Sequence, residues 1–88
     1  MFDLRCSSRV PSDIKKLKKE NVRLPVKLWE IIFSTLETPE KGLGKPEPLK
    51  GDLSGCWSRR INEKHRMVYR ILEVEKTIDL ISCYGHYD

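Results

Sequence analysis

No stretch of this 88-residue chain stays hydrophobic for long. The longest apolar runs fall far short of the roughly 20 residues that cross a bilayer. No basic-then-apolar leader opens the chain. The expectation is a cytoplasmic protein with no membrane association. Histidine is scarce, with only His65 and His86, and cysteine is both scarce and odd in number, with Cys6, Cys56 and Cys83. Neither type falls at metal-ligand spacing, so no zinc site and no cofactor are expected. The cysteines read as reduced, small apolar residues rather than nucleophiles. Acid is in deficit: 17 Lys and Arg stand against 13 Asp and Glu, giving a net charge of +4 and a pI of about 9.1. That excess favours a polyanionic partner such as nucleic acid. Much of it sits in Lys15, Lys16, Lys18 and Lys19, which read first as a solvated helix face.

What is present is enough for one domain, residues 1–88, with one modest core. A 39% hydrophobic share beside 34% charged residues marks a folded globule rather than a disordered chain. Met1 to Arg9 alternates weakly and is expected to form a strand. Pro11 suits a helix start, with Ser12 or Asp13 as cap, and Ile14 and Leu17 predict a short helix over Pro11 to Lys19. Leu24-Pro25 opens a second helix to about Leu36. Leu28, Ile31, Ile32 and Leu36 share its inner face, Trp29 and Phe33 widen that face, and Thr38-Pro39 stops it. Glu40 to Gly55 is a long loop rich in Gly, Pro and Lys, of the kind that often carries function. Strands are expected over Gly55 to Ile61, His65 to Leu72 and Thr77 to Tyr84, joined by hairpins. The fold class is α+β, in the order β-α-α-β-β-β, with a mostly antiparallel sheet and two helices on one face.

Alternation along the strands selects the register. Pairing Leu72 with Thr77 puts Met67, Tyr69, Ile71, Ile78 and Leu80 on one apolar face, and sets Arg70 opposite Asp79. Pairing Ile61 with His65 buries Ile61 and Trp57. It sends Ser58 and Arg60 outward beside Arg66 and Val68, and turns Arg59 toward the helix side or its margin. His65 then faces the core and reads as structural. The second face of the sheet is expected to be open, with Arg60 and Arg66 at its centre, the Glu47 loop at one end and His86 just beyond the last strand.

Those residue types suit RNA cleavage by attack of the 2′-OH on the adjacent phosphorus. The reaction needs a base, an acid at the leaving 5′-oxygen, and positive charge at the phosphoryl oxygens. Glu47 can serve as the base and His86 as the acid, since glutamate side chains in general are ionised at neutral pH and histidine side chains in general titrate near it. Arg66 can grip a phosphate with a two-pronged fork, and Tyr87 can stack on a base. Taken singly, Glu47 reads as a solvated acid paired with Lys45 or Lys50, and His86 as a terminal surface residue. The Pro46-Glu47-Pro48 setting is unusual because it stiffens the backbone on both sides of the acid.

The series Gly44-Lys45-Pro46-Glu47-Pro48-Leu49-Lys50, Leu53-Ser54-Gly55, Trp57-Ser58-Arg59-Arg60-Ile61, His65-Arg66-Met67-Val68-Tyr69 and His86-Tyr87 resembles the YoeB (Txe) toxins of the RelE-like superfamily. The resemblance covers the C-terminal half closely and the N-terminal half in layout. It implies a toxin of a type II toxin–antitoxin system: a ribosome-dependent, metal-independent mRNA endonuclease cutting A-site codons. It implies Glu47 as general base, Arg66 as phosphate ligand, His86 as general acid and Tyr87 as terminal tyrosine. Lys50 and Arg60 match basic substrate positions, and Arg59 is grouped with them. Implied partners are a YefM-like antitoxin, the 70S ribosome with its mRNA, operator DNA only as the toxin–antitoxin complex, and a homodimer. Many relatives carry a basic residue where Tyr84 stands, and Asp88 adds negative charge after the terminal tyrosine. The alternative is a non-enzymatic ribosome- or RNA-binding module that blocks translation by occlusion.

Overall fold

The computed structural model describes residues 1–85. Strand β1 (Asp3–Cys6) leads into α1 (Val10–Glu20) and α2 (Leu24–Glu37). A two-residue strand β2 (Glu47–Pro48) and a 3-10 turn (Gly51–Leu53) follow, then β3 (Cys56–Arg60), β4 (Arg66–Leu72) and β5 (Thr77–Ser82). The strands form one sheet in the order β1-β5-β4-β3-β2, antiparallel except where β1 runs parallel to β5. None of the described helices is long and apolar enough to cross a membrane.

Both helices open on a proline near their first position, where the missing N–H costs nothing. The first helix differs from expectation at its start. Neither Ser12 nor Asp13 caps it; Arg9 occupies the cap position, and Ser7 Oγ accepts from the Arg9 amide. Asp13 is fully buried instead, bonded to Arg9 Nε and to the Cys83 amide at 3.0 Å. The first strand is also shorter than Met1 to Arg9, because Ser7 already turns the chain toward α1.

The two helices lie on one face of the sheet. Leu17, Leu28, Ile31, Ile32 and Leu36 meet Ile61, Met67, Tyr69, Ile78 and Leu80 in the main core. The strand registers are those the alternation requires: Leu72 opposes Thr77, Tyr69 opposes Leu80, Trp57 opposes Tyr69 and Arg60 opposes Arg66. A bulge between Val68 and Tyr69 lets Val68 face Ser82. Bulges bend a strand end and re-aim side chains, here those of Ile81 and Ser82 at the rim of a cleft. Arg70 and Asp79 are partners in the ladder, yet the Asp79 carboxylate pairs with Arg5 on β1 at 3.4 Å.

The second face is not open as expected. Leu49, Cys56 and Val68, with Leu53 and Ile81 against them, make a second small core under the 45–55 segment. Ser58 is buried there as well. The reason is the pair Leu49 and Leu53, which cannot stay in water cheaply at roughly 1.5–3 kcal/mol per buried Leu side chain. The β2–β3 pairing and the bond from the Leu49 amide to the Cys56 carbonyl hold them in place.

Arg59 corrects another expectation. Placed among the substrate-binding residues, it is completely buried. Its guanidinium donates to the carbonyls of Thr38 (2.7 Å), Lys41 (2.7 Å) and Leu43 (3.0 Å) and to Ser34 Oγ (3.0 Å). Its Nε donates to the Tyr69 hydroxyl at 3.1 Å, which itself donates to the Pro39 carbonyl at 2.7 Å. Arg59 is thus the clamp that ties the 38–43 segment to the sheet. Gly44 completes the approach: its carbonyl accepts from the Arg60 amide at 2.7 Å, and at φ 81° a Cβ there would sit 2.8 Å from the Arg60 carbonyl oxygen.

Candidate active site

The clamped segment delivers β2 to the edge of the sheet. Glu47 stands opposite Ser58, with its backbone stiffened by the prolines on either side. Its carboxylate is about half exposed and lies 3.5 Å from Arg66 Nη1, while the Arg66 side chain is mostly buried. Arg66 opens β4 directly across from Arg60. Two like charges facing each other across antiparallel strands repel, so the acid on the next strand relieves a real electrostatic cost.

Gly85 is laid against the same strand. The Arg66 amide donates to the Gly85 carbonyl at 3.1 Å, and the Gly85 amide donates to His65 Nδ1 at 2.9 Å. Arg9 reaches the Tyr84 carbonyl at 3.2 Å. Arg66, Val68, Leu53, Ile81, Ser82 and Gly85, with Arg9 and Tyr84, enclose a cleft of about 210 Å³. It is smaller than the roughly 300–1,000 Å³ of a typical small-molecule pocket, and suits a phosphodiester better than a whole enclosed ligand.

His65 is buried, as the register required. Because Nδ1 accepts from Gly85, Nε2 carries the proton and donates to Glu20 Oε1 at 2.8 Å. Tyr84 stacks on the imidazole at 4.3 Å and donates its hydroxyl to the other Glu20 oxygen. These bonds, His65 first and Tyr84 second, hold the Glu20 carboxyl down to about 2. The same bond raises the Tyr84 phenol. Glu20, His65 and Tyr84 therefore form a brace from α1 to the segment that follows β5. Tyr84 is committed to that brace.

A carboxyl depressed on folding stabilises the native state above its ordinary pKa, and that contribution fades as pH falls through the folded value. Stability measured as a urea midpoint is therefore expected to fall between about pH 4.5 and about pH 2. Glu20→Gln should flatten that acid limb. An identical limb in the variant would show that the brace is not its source.

Of the residues expected in the site, Glu47 and Arg66 come together. Lys50 is exposed at the start of the 3-10 turn. Arg60 lines a different, larger hollow of about 540 Å³ with Lys27, Glu30, Leu43, Lys45 and Glu63, and the Glu47–Arg66 pair is not part of it. His86 and Tyr87 lie outside the described residues. Arg9 at the cleft was not anticipated, although its i,i+4 spacing to Asp13 was a usable signal. Among the described residues, no three His, Cys, Asp or Glu side chains gather as a metal site would.

Residues 7–87 match the model of a YoeB-like toxin of bacterial type II toxin–antitoxin systems. Toxin YoeB of Escherichia coli K12 is 48% identical over 65 residues, 74% of this chain and 75% of that protein. Toxin YoeB of Synechocystis is 45% identical over 76 residues, covering 86% and 77%. Among solved structures, a YoeB/ParE toxin from Agrobacterium tumefaciens superposes with a TM-score of 0.88 at 39% identity, covering 97% of this chain and 99% of its own. A chain of a YoeB-YefM complex from Staphylococcus aureus superposes at a TM-score of 0.82 with 34% identity, covering 99% of both chains. With the sequence matched almost end to end and the sheet and helices superposed, the chain belongs to the YoeB-like toxins of bacterial type II toxin–antitoxin systems.

Proposed function

We propose that this toxin is an endoribonuclease that cuts translated mRNA in the ribosomal A site without a metal ion. Glu47 takes the proton from the 2′-OH, whose oxygen attacks the adjacent phosphorus. The bond to the 5′-oxygen breaks, and His86 supplies the proton that oxygen needs. The products are a 2′,3′-cyclic phosphate and a free 5′-OH. Arg66 donates to the phosphoryl oxygens as charge builds on them. Tyr87 stacks on a base, and Lys50 and Arg60 add positive charge along the RNA path. Arg59 acts only by holding the loop.

The observation that supports this most is the 3.5 Å contact between the Glu47 carboxylate and the Arg66 guanidinium at the cleft against which Gly85 is bonded. A base and a phosphate ligand at that separation can address one nucleotide step. The partners in this reading are the 70S ribosome with its mRNA and a YefM-like antitoxin that occludes the cleft, with operator DNA bound only by the toxin–antitoxin complex. The relative crystallised as a YoeB-YefM complex supports the antitoxin, and a YoeB dimer from Staphylococcus aureus supports self-association.

Primer extension on a translated message should give discrete cuts at A-site codons, and the fragments should end in 2′,3′-cyclic phosphate. Stalled ribosomes on full-length message would favour occlusion without cleavage. Fragments ending in a 3′-hydroxyl would overturn the 2′-OH route.

A further inference from the structure

The cleft beside Gly85 holds two guanidiniums, and the reaction as drawn uses one. Arg9 and Arg66 line it together, and its other described lining residues, among them Leu53, Val68, Ser82 and Tyr84, carry no charge. Arg66 comes from β4 and is paired with Glu47. Arg9 comes from the start of α1. Its Nε donates to Asp13 Oδ1 at 3.3 Å and its Nη2 to the Tyr84 carbonyl at 3.2 Å. Asp13 is 1% exposed, and its other oxygen accepts from the Cys83 amide. The Arg9 side chain, by contrast, is 60% exposed. An arginine whose sole task was to neutralise a buried acid would be drawn in after it. Here the acid lies behind, and the positive end of the pair is left at the cleft. Arginine presents its N–H donors in a rigid planar fork. Those that Asp13 and Tyr84 do not take are bonded to no other described residue. Two bonds already fix the fork, so little rotamer freedom is lost when it takes a ligand.

We propose that Arg9 binds the backbone phosphate next to the scissile one, as a second phosphate ligand for the RNA; this rests on the reading of the cleft as a site of RNA cleavage. An RNA strand carries one phosphate per nucleotide. Two cations held by different groups along one cleft, Arg66 by Glu47 and Arg9 by Asp13 and the Tyr84 carbonyl, match that repeat. Arg66 stands with the base and addresses the reacting linkage, which leaves the neighbouring linkage to Arg9. A contact to a phosphate that does not react is equally strong in the ground state and the transition state. Its loss therefore acts on affinity and not on the chemical step.

The test reads binding without cleavage. The full-length chain is titrated onto ribosomes programmed with a message whose A-site codon is 2′-O-methylated, so that the 2′-oxygen cannot attack. Single methylphosphonates, each removing one phosphate charge, are placed in turn at the two linkages that flank the scissile one. One of them should weaken wild-type binding about tenfold. Arg9→Gln should bind more weakly by a similar factor, and the same methylphosphonate should then cost almost nothing further, because both changes remove one contact. Arg9→Gln combined with Asp13→Asn should show the same loss of coupling and keep the fold, since no buried acid is then left without its cation. Additive losses at both linkages would overturn the proposal and leave Arg9 a partner of Asp13 alone. A wild type indifferent to both methylphosphonates would overturn it as well. Failure to cleave an unmodified message strikes the proposed reaction but not this contact, which the methylated codon reads separately. Absence of wild-type binding to the programmed ribosome overturns both.

Discussion

Glu47→Gln is expected to lower A-site cleavage by about 10²–10⁴-fold, the usual worth of a general base. The substitution keeps the shape of the side chain and the β2 pairing with Ser58 and Trp57. Glu47 is half exposed, so the fold should not notice the change. Arg66→Met should cost about 10²–10³-fold through kcat, as removal of a donor to developing phosphoryl charge does. The bond from the residue 66 amide to Gly85 is made by backbone and survives that substitution. Gly85 should therefore keep its place, which separates loss of chemistry from loss of structure. Single-turnover cleavage on programmed ribosomes, with thermal melting alongside, checks both variants. Wild-type cleavage by the Glu47→Gln protein would remove the acid from the mechanism.

Arg59→Met should be the most destabilising single change outside the hydrophobic core. It deprives the carbonyls of Thr38, Lys41 and Leu43 of their donor at once. Each buried acceptor left unsatisfied costs on the order of 1–3 kcal/mol. Relaxation of the segment and entry of water recover part of this, so a net loss of about 3–5 kcal/mol is expected. Small domains hold only about 5–15 kcal/mol in total. The same variant frees the segment that leads to Glu47, so cleavage should fall although Arg59 is itself fully buried. Tyr69→Phe is the milder control. It removes one hydroxyl that accepts from Arg59 and donates to Pro39, at a cost of about 1–2 kcal/mol. Urea unfolding followed by circular dichroism orders the two. A loss below about 1 kcal/mol for Arg59→Met would mean that the clamp is not what secures the loop.

Arg59 also marks the limit of what residue patterns reveal. Alternation puts it on the helix side of β3, which is where it lies. Nothing in the pattern says that the carbonyls of a loop roughly twenty residues earlier will converge on it. An arginine beside a second arginine, in a basic chain, reads as a surface charge. His65 was the opposite case. Its inward position followed from the same alternation, and its burial in the structure agrees. Its bonds to Glu20 and Gly85 join positions 45 and 20 residues apart, and no local pattern encodes such distances.

The second face shows the same division. The positions Ser58 and Val68 were read as outward, but Leu49 and Leu53 in the loop pack with Val68, and Ser58 is buried as well. Two leucines among glycines, prolines and lysines carry no periodicity, so their destination was invisible until the loop closed.

The linear order of residues thus determined the helices, the three main strands and their hairpin registers. These depend on periods of 3.6 and 2 and on turns between neighbours, and every such interaction is short in sequence. The docking of β1 beside β5, the burial of Arg59 and Asp13, the closure of the loop and the approach of Glu47 to Arg66 were decided only in three dimensions. Each joins groups far apart along the chain, and which distant donor meets which acceptor depends on how the whole core packs.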